Sequence, residues 1–140
     1  MKLHPTLTNV CCLALFAFFF GLNAQAESTE PSAQVTGVAS YRERIAVPPG
    51  AQLEVVLADV SRMDAPSETL GKAVQENVGQ PPYAFAIPYQ PERIIPSHRY
   101  AVRARLTVGS RLLFTTVTMY PVITNGNPSD VKLMLKHVGR

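Results

Sequence analysis

The chain has 140 residues with 13 Lys and Arg against 10 Asp and Glu, a formal net charge of +3. An unclustered charge this small leaves no electrostatic footprint for nucleic acid or a membrane surface. The length is one domain's worth, enough to bury a core without staples.

The first segment reads as a leader. Lys2 precedes the apolar run "VCCLALFAFFFGL", Val10 to Leu22, and "NAQA" follows before Glu27. One early positive charge, a short apolar run and an A-x-A ending describe a secretory signal peptide. The run falls short of the roughly 20 residues that span a bilayer. Ala24 and Ala26 are the small residues at the −3 and −1 positions, so cleavage is expected after Ala26, with export to the periplasm. Cys11 and Cys12 both lie inside the leader, at the start of the apolar run rather than its end. The chain from Glu27 onward therefore has no disulfide framework, thiolate nucleophile or cysteine metal site. Lipidation at Cys12, giving an outer-membrane lipoprotein, is the lesser alternative.

Glu27 to Ala33, "ESTEPSA", is polar and aperiodic and reads as a tether, leaving residues 34–140 as a single domain. Turn residues at short intervals and the lack of a long apolar helical stripe predict an all-β fold. Val35 to Tyr41 alternates Val35, Gly37, Ala39 and Tyr41 on one face. "VPPG", Val47 to Gly50, is a turn with Gly50 at positive φ, and Gln52 to Val60 is a strand with Leu53, Val55 and Leu57 inward. Arg62 to Thr69 is loop by composition, while Leu70 to Val78 fits either a strand or a helical turn. Tyr83, Phe85 and Ile87 line a short strand whose flanking Pro82 and Pro88 place it at an edge. Gln90 to His98 is a crossing loop.

"HRYAVRARLTVGSRLLFTT", His98 to Thr116, forms a hairpin around a two-residue Gly109-Ser110 turn of type II′. That register opposes Val108 to Arg111, Leu106 to Leu113, Ala104 to Thr115, Val102 to Val117 and Tyr100 to Met119 on the core face. The other face carries Arg99, Arg103 and Arg105, with guanidinium groups over Phe114 and Tyr120. Alternation alone accounts for these arginines as a wet sheet face. The functional reading of the same five residues is a docking face for an acidic or peptide partner. A last strand, Val131 to Val138, turns Val131, Leu133 and Leu135 inward after a loop holding Asn125-Gly126 and Asn127-Pro128. The count is six or seven short antiparallel strands, arranged as a two-sheet sandwich rather than a closed barrel.

Catalytic and metal signals are sparse. His98 and His137 lack a His, Asp or Glu at metal-motif spacing and read as surface imidazoles. Asp59 and Glu54 have opposite parity on one strand and cannot form paired carboxylates. No catalytic residue, metal site or cofactor is expected. A small periplasmic hydrolase would need an acid/base or nucleophile set that the sequence does not display.

"YRERIAVPPG" and "RYAVRARLTVGSRLLFTT" resemble the YbaY/YscW family of bacterial envelope proteins, described as type III secretion lipoprotein chaperones or pilotins. The resemblance extends from Val35 to Thr124. It implies a prealbumin-like β-sandwich and a non-enzymatic envelope role, which in the pilotin branch is escort of secretin subunits. Pilotins resemble one another in a lipidated N-terminal cysteine, whereas Glu27 stands at that place here. The resemblance thus implies the YbaY-like branch: a monomer that binds another envelope protein, with a pilotin-like chaperone as the alternative.

Overall fold

The computed structural model describes residues 33–139. The leader, its cleavage residues Ala24 and Ala26, and most of the tether lie outside them. Eight strands follow in chain order: β1 (Ala33–Ser40), β2 (Ala51–Asp59), β3 (Glu68–Gln75), β4 (Tyr83–Tyr89), β5 (Tyr100–Val108), β6 (Arg111–Thr116), β7 (Tyr120–Val122) and β8 (Asp130–His137). Among the described residues the helical content is one 3-10 turn, Pro91–Arg93. The all-β expectation holds. The uncertain stretch from Leu70 is strand β3 as far as Gln75, which also takes Glu68 and Thr69 from the expected loop; β1 starts at Ala33, which composition had assigned to the tether; and the strands number eight rather than six or seven.

The strands form one continuous path, β3-β2-β5-β6-β8-β1-β4, with β7 paired beside β6 on β5. This corrects the expected pair of separate sheets. A short link between β6 and β8, Phe114↔His137 to Thr116↔Leu135, joins the two halves, and the path bends until its end strands β3 and β4 meet. Gly71 makes that approach feasible, because a Cβ there would come within 2.5 Å of the Pro88 carbonyl oxygen. Pro88 has no N–H to donate, so backbone pairing cannot complete a ladder at this point. Instead, Gln75 Nε2 donates to the Ala84 carbonyl at 2.6 Å. The result is a nearly closed barrel.

The pairings are also not all antiparallel. β1 and β8 run parallel, with Gly37 opposite Val131. The long connection from β1 to β8 carries the chain through the rest of the fold before it returns in the same direction. β4 sits at the end of the path, as its prolines require.

One core fills the inside. Val35 and Ala39, then Leu53, Val55 and Leu57, then Tyr83, Phe85 and Ile87 are buried from the strands expected to present them. Tyr100, Val102, Ala104 and Leu106 of β5 and Leu133 and Leu135 of β8 complete the lining.

The hairpin keeps its turn and loses its register. Gly109 has φ 58 while Ser110 is not in the left-handed region, as a II′ turn demands, and Val108 does oppose Arg111. One step further the ladder shifts: Thr107 pairs with Leu112 and Leu106 with Phe114. Leu113 is therefore an unpaired bulge residue. A bulge reverses the inside-outside alternation of everything beyond it, so Leu113 and Phe114 are both buried. β6 then leaves β5 at Thr116. β7 replaces it, setting Tyr120 opposite Val102 and Val122 opposite Tyr100, so the expected partners Val117 and Met119 are left outside.

Candidate partner-binding surfaces

The bulge redistributes the five residues expected to share one docking face. Phe114 is 1% exposed and stacks on Tyr41 at 4.1 Å between ring centroids. His137, exposed as its reading as a surface imidazole expects, also packs edge-on against the same ring at 5.2 Å. Tyr120 is half-buried against the core, and its hydroxyl accepts the Met134 N–H at 2.9 Å. Neither aromatic is available to lie beneath an arginine.

Arg103 and Arg105 do remain outward on β5, where strand alternation places them. They share an open groove of about 740 Å³ with Glu54, Lys72, Thr115 and Thr116. β2 supplies Glu54 directly across from Arg105 and Val56 across from Arg103. β3 supplies Lys72, whose Nζ lies 3.8 Å from Glu54 Oε2. Arg103 donates from Nη2 to the Ser67 hydroxyl at 2.8 Å. Three cations thus face one carboxylate. The exposed Lys72–Glu54 pair contributes at most about 1 kcal/mol, and the lining carries a net positive charge.

Arg99 stands apart. It precedes β5, its N–H donates to Ser61 Oγ at 2.8 Å, and its carbonyl accepts the Val60 N–H at 2.8 Å. Its neighbours in a second groove are Tyr100, Met119, Pro121 and Thr124. Shared strand parity along the sequence therefore does not bring Arg99 to the Arg103–Arg105 groove.

A feature that spacing rules missed lies beside it. His98 Nδ1 is 2.6 Å from Asp59 Oδ2, with the two side chains 33% and 17% exposed. His98 is thus half-buried and partnered, which corrects its reading as a surface imidazole. An ionised carboxylate only accepts, so Nδ1 carries the hydrogen. Partial burial pushes the Asp59 carboxyl up; hydrogen bonds from Ser61 and His98 outweigh that and hold it below the ordinary carboxylate range. The pair forms one wall of a small polar pocket of about 180 Å³ with Arg62 and Glu68. The only sequence signal was that Asp59 ends one strand and His98 precedes another. Among the described residues no group of three or more His, Cys, Asp or Glu side chains is arranged to hold a metal ion, and no helix is long and apolar enough to cross a membrane.

The chain is similar to proteins of bacterial secretion. A solved chain described as "Structure of an alternative pilotin from the type II secretion system of Vibrio cholerae" matches with a TM-score of 0.74 and 40% identity, covering 78% of this chain and 99% of that one. The "Uncharacterized lipoprotein YbaY" of Escherichia coli (strain K12) is 40% identical over 93 residues, 66% of this chain and 49% of that protein, so the match spans about half its length. The family model for the Type III secretion system lipoprotein chaperone (YscW) matches residues 30–135. On that match, which takes in all eight strands but for the end of β8, the chain belongs to the YscW family.

Proposed function

We propose that this chain is an exported, non-enzymatic envelope protein that binds an acidic segment of another envelope protein in the Arg103–Arg105 groove, acting as a pilotin-like chaperone. The observation that carries the reading is the charge of that groove: Lys72, Arg103 and Arg105 against Glu54 alone. Likeness to an alternative pilotin over nearly all of that protein's length supports a secretin subunit as the partner. The periplasmic face of the envelope is the site of action, after cleavage behind Ala26.

The Asp59–His98 pair is the arrangement a hydrolase would put to acid/base use. Here its neighbours are engaged in tying segments together: Ser61 N–H donates to Asp59 at 2.9 Å, and Ser61 Oγ accepts from the Arg99 backbone. These bonds support a structural role.

The test is a titration with the periplasmic part of a secretin from the same genome, comparing the parent with Arg103→Gln/Arg105→Gln. The double variant should bind at least about tenfold more weakly, and the gap should narrow as salt is raised. Unchanged affinity with an unchanged melting curve would overturn the groove as the binding site.

A further inference from the structure

We infer that Asn125 is a modification site: its side-chain amide is lost spontaneously through a cyclic imide formed with the Gly126 nitrogen, which leaves isoaspartate or aspartate in the loop between β7 and β8. Water is the one co-reactant. The Gly126 nitrogen gives up its proton and bonds to Asn125 Cγ; the Cγ–Nδ2 bond breaks, and Nδ2 departs with a proton as ammonia. Water then opens the imide. Attack at the former main-chain carbonyl routes the chain through Cγ as isoaspartate, whereas attack at Cγ restores the main chain as aspartate.

Asn77, Asn125 and Asn127 are the asparagines among the described residues, and their surroundings sort them. Asn77 is exposed, but the nitrogen that would attack belongs to Val78. That N–H donates to the Ala51 carbonyl at 3.0 Å, and the branched side chain packs against the core. Asn127 precedes Pro128, which has no N–H to lose, and its own Nδ2 donates to the Thr124 carbonyl at 2.7 Å. Asn125 and Gly126 are both exposed. The Gly126 N–H makes no backbone hydrogen bond among the described residues, and glycine sets no side chain across the line of attack. Asn125 Nδ2 has one contact, Thr124 Oγ1 at 3.5 Å, longer than an N–H···O bond of ordinary strength.

The place of the modification gives it a structural effect. Asn125 at φ 58 and Gly126 at φ 76 are the central pair of a turn of type I′, closed by the Asn127 N–H on the Thr124 carbonyl at 3.2 Å. Thr124 is the one buried polar residue among those described, and its Oγ1 donates to the His98 carbonyl at 2.7 Å. Isoaspartate adds a carbon to the main chain between Thr124 and Asn127, which upsets the geometry of that closing bond, and it adds a carboxylate. The loop that fastens Thr124 to His98 is thereby loosened from its tip.

The test holds the purified protein in mildly alkaline buffer without denaturant and samples it over weeks, by peptide mass mapping and by enzymatic methyl-transfer labelling of isoaspartate. Asn125 should lose its amide at least about tenfold faster than Asn77 or Asn127, a barrier lower by about 1.4 kcal/mol. Asn125→Gly, which suits positive φ and has no amide to lose, should take no label in this loop. The isoaspartate fraction, separated by ion exchange, should melt at a lower temperature than unaged protein, while Asn125→Gly aged alongside should keep its melting temperature. Conversion of Asn125 confined to the urea-unfolded chain, or conversion of Asn77 or Asn127 at the same rate, would overturn the site. An isoaspartate fraction that melts like unaged protein would overturn its effect on the loop.

Discussion

His98 and Asp59 are 39 positions apart in the chain, yet their side chains meet at 2.6 Å at one end of the barrel. Asp59 closes β2, His98 stands just before β5, and β2 and β5 are antiparallel neighbours with Asp59 opposite Tyr100. The pair is completed by Ser61, which binds Asp59 with its N–H and Arg99 with its hydroxyl. Two loop segments are thereby joined to the sheet through one carboxylate.

The Asp59 carboxyl is held below its ordinary range in the folded protein. A group lowered in this way contributes stability that is fully present above its unfolded value, near pH 4, and is lost as pH falls through the folded value. Asp59→Asn should be less stable than the parent at pH 7, by roughly 1–2 kcal/mol for the loss of charge-assisted hydrogen bonds on a partly exposed group. The difference should shrink below about pH 4. Urea melts of both proteins across that range check it, and a gap that stays constant with pH would contradict it.

Leu106 is fully buried opposite Phe114, whereas Arg105 beside it faces the outer groove. Leu106→Ala should cost about 2–5 kcal/mol through lost transfer energy and the cavity left behind. Arg105→Ala should cost less than about 1 kcal/mol. Denaturant melts giving equal losses would mean that the β5 register is wrong.

Phe114 was expected as a docking anchor and is instead part of the core. Phe114→Ala should lower stability by about 3–5 kcal/mol, because it removes a buried ring stacked on Tyr41. A variant that melts like the parent while losing its partner would restore Phe114 to the binding surface.

Gly37 lies where β1 runs parallel to β8, and a Cβ there would overlap the Val131 carbonyl oxygen and come within 2.7 Å of the Phe85 ring. Gly79 has open space in the same position. Gly37→Ala should cost more than about 2 kcal/mol, since a backbone carbonyl in a ladder cannot move aside, while Gly79→Ala should stay within about 1 kcal/mol. Thermal melts of the two variants distinguish backbone crowding from a general intolerance of alanine.

The expectation that residues 1–26 are a cleaved leader makes a mass prediction. Protein purified from the envelope should have the intact mass of Glu27 through Arg140. Acyl chains on Cys12 would replace cleavage after Ala26 with a lipid anchor.

Strand identity and the inward residues of β1, β2, β4 and β8 were legible in the sequence, because a period of two and a few Gly and Pro positions are local properties of the chain. The edge position of β4 followed from proline's missing donor, and the II′ turn from glycine's access to positive φ. The fate of the five candidate residues was not legible. One extra residue, Leu113, reversed the alternation of β6 and carried Phe114 into the core, and a bulge is settled by how side chains pack on both sides of a sheet rather than by the spacing of either strand. The separation of Arg99 from Arg103 and Arg105, the Asp59–His98 pair, the parallel placement of β1 on β8 and the closing of β3 toward β4 have the same origin. Each depends on contacts between segments far apart in the chain, so only the folded arrangement decides them.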